Sequence, residues 1–221
     1  MLFRSILRQL MLDSLNPTVA PYAKDGEVQL RVTASGRTEA ECSTLCDEMI
    51  ERISATEVGK YIYGIDAGTL EEALVKALIA SGRHIAAAES CTGGLIGKLL
   101  TDVPGASAVY KGGVISYVNE IKHRLLGVAQ ETLDVCTAVS RETAHEMARG
   151  ARERLMTDYA VSVTGLAGPD GDGTGRPVGL VYIAVDTSGF SFCRELHLTG
   201  TRAQIREQAA DAVFQLILDT I

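Results

Sequence analysis

The stretch His84-Ile85-Ala86-Ala87-Ala88-Glu89-Ser90-Cys91-Thr92-Gly93-Gly94 decides how the chain is to be read. HIAAAE is a short apolar run without alternation, which predicts a strand buried on both faces and ending at Glu89. SCTGG then turns the chain into a helix predicted over Leu95–Leu100. Working downstream, GGVISYV predicts a second strand. A helix from Asn119, a helix over Arg141–Leu155, the strand YAVSVTG, the strands PVGLVYIAV and FSFCREL, and a last helix from Arg202 follow. Strands that alternate with helices of about 10 to 15 residues predict an α/β fold, a three-layer α/β/α sandwich with a largely parallel sheet. Working upstream, Thr69 and Glu72 form a capping box opening a helix over Leu70–Ser81, and GIDAGT (Gly64–Thr69) reads as a short linker. A domain is therefore expected over residues 65–221.

Residues 1–64 predict a small α+β domain. MLFRSILRQLMLDSL reads as an amphipathic helix. Asn16–Gly26 carries two prolines and ends in the turn signal Asp25-Gly26 ahead of EVQLRVTA, a half-exposed strand. A helical stripe runs over Glu39–Ile53, and Lys60–Tyr63 is read as a short second strand. No internal repeat or low-complexity tract is visible.

The chain has 221 residues, 46% of them hydrophobic, enough to bury a core. Its formal net charge of −7 speaks against a nucleic-acid surface, which needs clustered Lys and Arg to displace counterions. Small-molecule substrates fit better. Arg4, Arg8, Gln9 and Asp13 interrupt the opening apolar segment far short of the roughly 20 residues of a membrane span, so no membrane association is expected. The five cysteines are scattered, with no CxxC pair, which predicts reduced thiols in a cytoplasmic protein. His84, His123, His145 and His197 form no ligand pair, and Asp170 and Asp172 lack the spacing of a calcium loop, so neither metal nor cofactor is expected.

Three segments could carry chemistry. The first is Glu89–Gly94, where a strand passes into a helix whose N–H groups could receive an anion or oxyanion. Ser90 or Thr92 could equally be a helix cap, with Gly93 and Gly94 serving a tight turn. The second is Gly112–Lys122: Tyr117 ends a strand, Asn119 can cap the next helix, and Lys122 lies in its first turn. There the dipole opposes the ammonium and favours the neutral amine that a general base must be. On a solvated face the same lysine would be inert. The third is Val163–Pro169, where Thr164 could hydrogen-bond a substrate and Gly165 and Gly168 could let backbone approach one. It opens the longest irregular stretch, GLAGPDGDGTGRP.

AESCTGG, VPGASAVYKGGVISYVNEIK, LLGV, AVS at Ala138–Ser140, VTGLAGP and PVGLVYIA, in this order, resemble the C-terminal domain of the CinA family. That resemblance implies a nicotinamide mononucleotide amidase acting on a pyridine nucleotide, with Ser90 as nucleophile, Lys122 as its base and Tyr117 completing the constellation. The expected substrate-binding set is Thr92, Gly93, Gly94, Asn119, Ser140, Arg141, Thr164, Gly165 and Gly168. Oxyanion donors fall to the backbone around Thr92–Gly94 or Gly165–Gly168. The nucleotide phosphate falls to a glycine turn, Arg141 or Arg176. A homodimer is also implied, and the apolar first helix offers a contact surface. NPTVAPYAKDGEVQLRVTA resembles the family's KH-like segment, but no GxxG clamp for RNA is present in residues 1–63. The molybdopterin-binding-like domain that precedes it in full-length relatives is not seen, so the chain reads as a shortened or fragmentary relative, and the pyrophosphatase activity linked to that domain is not carried over. The alternative is a non-catalytic domain that keeps the fold and serves a competence or DNA-damage machinery.

Overall fold

The computed structural model describes residues 5–24 and 27–221. They form two compact units, residues 1–65 and 66–221. In the first unit, helix α1 (Arg8–Asp13) precedes strands β1 (Thr18–Lys24) and β2 (Glu27–Thr33), which pair antiparallel with Val19 opposite Val32. Helix α2 (Glu39–Ser54) follows, its first turn capped by the Thr38 hydroxyl. Leu7, Val19, Met49, Ile53 and Val58 make the core of this unit.

Two readings change here. The proline-bearing segment after Asn16 is a strand, because a two-stranded sheet has an open edge on each side and tolerates Pro21 there. Lys60–Tyr63 is not a strand. Gly59–Tyr61 form a 3₁₀ turn between the core residue Val58 and the partly buried Ile62, and the turn is so tight that a Cβ on Gly59 would lie 1.9 Å from the Ser54 carbonyl oxygen. The expected Asp25-Gly26 turn and the first four residues of the opening helix lie outside the described residues.

The second unit opens with α3 (Leu70–Ser81), N-capped by Thr69 and closed by Gly82 in the left-handed conformation. Strands β3 (Ile85–Glu89), β4 (Tyr110–Ile115), β5 (Tyr159–Gly165), β6 (Leu180–Thr187) and β7 (Ser191–His197) form one sheet in the order β4-β3-β5-β6-β7. β3 pairs parallel with β4 and β5, whereas β5–β6 and β6–β7 are antiparallel. Only β6 therefore runs against the other four. No helix separates β5 from β6 or β6 from β7, and a parallel neighbour would need such a crossover.

Alternation along β3 fixes the layers. Ile85 and Ala87 face a cluster with α3, α4 (Leu95–Asp102) and α8 (Arg202–Leu218). Ala86 and Ala88 face the opposite cluster, with Leu126 of α5 (Asn119–Leu126), Leu133 of α6 (Gln130–Val135) and Met147 and Ala151 of α7 (Arg141–Leu155). α6 is a helix that the periodicity does not announce. The chain leaves β3 towards one face and β4 towards the other, which opens a crevice beyond their carboxyl ends.

Candidate active site

Ser90 follows β3 directly and Lys122 lies four residues into α5, so both project into that crevice from its two walls. Lys122 Nζ is 2.9 Å from Ser90 Oγ and donates to the Ser116 carbonyl oxygen at 2.7 Å. Both side chains are shielded, Lys122 at 1% exposure and Ser90 at 8%. Burial draws the Lys122 ammonium down from 10.5 to about 8, while the neighbouring Cys91 opposes that shift. The physical cause that dominates is thus desolvation, since a charged amine inside the fold loses its hydration. An amine so placed can accept the Ser90 proton near neutral pH.

The backbone around the serine is set by Glu89. Its buried carboxylate accepts N–H groups of Gly94 at 2.9 Å, Ile96 at 3.1 Å and Gly97 at 2.9 Å. These are the orphan donors of α4, which lacks a side-chain cap from Gly94. Gly93 N–H donates to the Ser90 carbonyl, and Leu95 N–H to that of Thr92. The anion expected at this helix start is therefore the protein's own carboxylate. Gly93 and Gly94 both adopt positive φ, as the turn requires. Thr92 is fully buried and its Oγ1 has no partner among the described residues. Burial pushes the Cys91 thiol up to about 11, which disfavours its thiolate.

The other expected residues fall into two groups. Tyr117 lies near the crevice but beyond the end of β4, 58% exposed, and its hydroxyl accepts from Arg202 Nη2 at 3.0 Å. Gly168 has φ of +80 and its carbonyl accepts from Arg202 Nη1 at 2.6 Å. Thr164 is buried and donates to the Ala138 carbonyl at 2.5 Å. The remaining positions have structural tasks. Asn119 is the first helical residue of α5 and not its cap. Ser140 caps α7 by accepting Thr143 N–H and donates to the Thr137 carbonyl. Arg141 donates to the Cys193 carbonyl, and Arg176 is held by Thr137, Val139 and Cys136. A Cβ on Gly165 would lie 2.6 Å from Val181, so this glycine serves strand packing.

Sequence reasoning missed Ser116, which reaches the lysine through its backbone, and two arginines on α8. Arg202 ties Tyr117 to Gly168, and Arg206 Nη2 donates to the Thr92 carbonyl at 2.6 Å. The signal was present in the spacing: two arginines four apart share one helix face. Among the described residues no group of three His, Cys, Asp or Glu could hold a metal ion, and no helix is long and apolar enough to cross a membrane.

Two family models match the chain: the CinA C-terminal domain over residues 67–221 and the damage-inducible protein CinA KH domain over residues 4–64. A putative competence-damage inducible protein of Caldicellulosiruptor saccharolyticus is 44% identical over 97% of this chain and 52% of its own length. A CinA-like protein of Dictyoglomus turgidum is 42% identical over 90% of this chain and 48% of its own length. The chain thus spans about half the length of the curated relatives it matches. Among solved structures, the competence/damage inducible protein CihA of Agrobacterium tumefaciens is similar with a TM-score of 0.67 and 36% identity, covering 72% of this chain and 97% of that one. A CinA superfamily protein of Escherichia coli gives a TM-score of 0.67 at 29% identity, covering 75% of this chain and 99% of that one.

Proposed function

The chain belongs to the CinA family, and from that premise we propose that residues 66–221 form a serine amidohydrolase that converts nicotinamide mononucleotide and water to nicotinic acid mononucleotide and ammonia. One observation carries the reading: a lysine that is 1% exposed stands 2.9 Å from a serine hydroxyl at a strand-to-helix turn. A fully buried lysine without a carboxylate partner costs stability, and such groups cluster at functional sites.

In the proposed reaction the neutral Lys122 amine takes the proton from Ser90 Oγ as that oxygen attacks the carboxamide carbon. The resulting ammonium then donates the proton to the departing nitrogen, which leaves as ammonia. A water molecule, deprotonated by the same amine, then attacks the ester carbon, and the ammonium returns that proton to Ser90 Oγ as its bond to the acid breaks. The Ser116 carbonyl fixes the amine by accepting one of its N–H groups. The α4 N–H groups of Gly94, Ile96 and Gly97 are engaged by Glu89, so the oxyanion falls to the Thr92 N–H or to the turn at Ala167 and Gly168.

Ammonia release from the mononucleotide tests the reading. Ser90→Ala and Lys122→Ala are each expected to abolish it, and the double variant to be scarcely slower than either, since groups that act as one unit share a transition state. Additive losses would mean that the two do not work as a pair. No ammonia release by the wild type would remove the amidase reading and leave a non-catalytic domain.

A further inference from the structure

We propose that Cys42 and Cys46 form a two-thiolate site for a soft monovalent metal ion, copper(I) in class, on α2 of the first compact unit. The two lie four residues apart in a 16-residue helix, so they share one face with Cβ atoms about 5–6 Å from each other. Both thiols are free and half-buried. Their spacing continues the stripe that buries Met49 and Ile53, yet neither belongs to the apolar cluster of that unit. Cys91 and Cys193 do pack into apolar clusters, as buried cysteines that act as small hydrophobes. Cys42 and Cys46 therefore do not serve as core filling. Beside them the chain carries Gly36, and a Cβ there would lie 3.1 Å from Cys42 Sγ, so the glycine leaves this thiol room for a ligand.

Spacing also decides what the pair can do. A disulfide needs its Cβ atoms within about 3.5–4.5 Å, closer than one helical turn sets them, so oxidation would have to distort α2. Metal–thiolate bonds of roughly 2.3 Å instead bridge sulfurs about 4–4.6 Å apart, which two side chains on neighbouring turns reach by rotation about χ1. Among the described residues no third His, Cys, Asp or Glu joins the pair. The four-ligand shell of a structural zinc site is thus not on offer. Thiolates select copper(I) among the ions that two soft ligands satisfy. Binding exchanges two S–H bonds for two Cu–S bonds, releases both protons to solvent and changes no oxidation state.

Copper(I), supplied without oxygen as its acetonitrile complex and titrated into the full chain against the chromophoric chelator bicinchoninate, tests the site. The wild type should take one ion per chain, release two protons and protect two thiols from a thiol-reactive disulfide reagent. Cys42→Ser and Cys46→Ser should each weaken binding more than about 100-fold, because even the partners behind metal ligands contribute roughly 10–100-fold. Cys136→Ser, which removes a half-buried thiol of the second unit, should bind copper as the wild type does. Circular dichroism of each variant separates loss of the site from loss of the helix. Copper that stays bound in either of the first two variants, that is lost equally in Cys136→Ser, or that the wild type fails to hold against the chelator would overturn the site.

Discussion

At the residue scale the proposed chemistry turns on a lysine that the fold keeps dry. With Lys122 drawn down to about 8, the amidase rate should rise with pH and level off above that value, following deprotonation of the amine. Lys122→Arg should be inactive across the same range, because a guanidinium does not release its proton there. An active Lys122→Arg enzyme with an unshifted profile would show that the residue only places charge. The same burial predicts a stability effect whose sign is opposite to that of a salt-bridged group. Between about 8 and 10.5 the unfolded chain holds a proton on Lys122 that the folded chain has released, so wild-type stability should rise with pH across that window. Below it the buried ammonium carries its full cost. Lys122→Met should therefore be more stable than wild type at pH 7, by on the order of 1–3 kcal/mol, and should lack the rise. Equal denaturation midpoints at pH 7 would contradict the desolvation account.

The turn from β3 into α4 is where element geometry becomes function. Alternation along β3 places Glu89 on the α4 side, and its carboxylate then holds the N-terminal donors of a helix that has no other side-chain cap. Ser90 is the next residue, so whatever fixes that helix start also fixes the proposed nucleophile. Glu89→Gln keeps the size but cannot accept at both side-chain positions. It is expected to destabilise the domain by about 1–3 kcal/mol and to lower kcat more than it raises KM. Urea unfolding and steady-state kinetics measured together check this. A variant with wild-type stability and kcat would show that the three hydrogen bonds matter to neither. A second contact holds the other wall: a Cβ on Gly150 of α7 would lie 1.8 Å from the Leu126 carbonyl, so only glycine lets α5, and with it Lys122, pack this closely.

For the whole molecule, each residue of the candidate site belongs to the second compact unit, 66–221. The similar solved chains are covered almost entirely by part of this chain, 97% and 99% in the two compared. A fragment of residues 66–221 should accordingly fold alone and keep kcat/KM within about twofold, as a domain with its own core would. Loss of activity in a folded fragment would mean that the first unit contributes to the site. That unit has its own core, built from Leu7, Val19, Met49, Ile53 and Val58.

Sequence by itself determined the layered α/β architecture, because apolar runs such as HIAAAE and AVSV and the capped helices around them are local signals with a fixed period. It also brought Ser90 and Lys122 forward as candidates, through motifs that lie each in one segment. The proline-bearing β1 stayed hidden, since an open edge and not the residue type permits Pro21 there. The direction of β6 came from the lack of a crossover helix, which a list of strands does not weigh. What only the tertiary structure decided is which groups meet. Glu89 fills the helix start, Arg141 and Arg176 donate to carbonyls of other segments, and Arg206 reaches the Thr92 carbonyl from 114 residues away. Hydrogen-bond partners and desolvation depend on distances through space that no local periodicity encodes, so a lysine's burial, and with it the basicity it brings to Ser90, is a property of the folded chain alone.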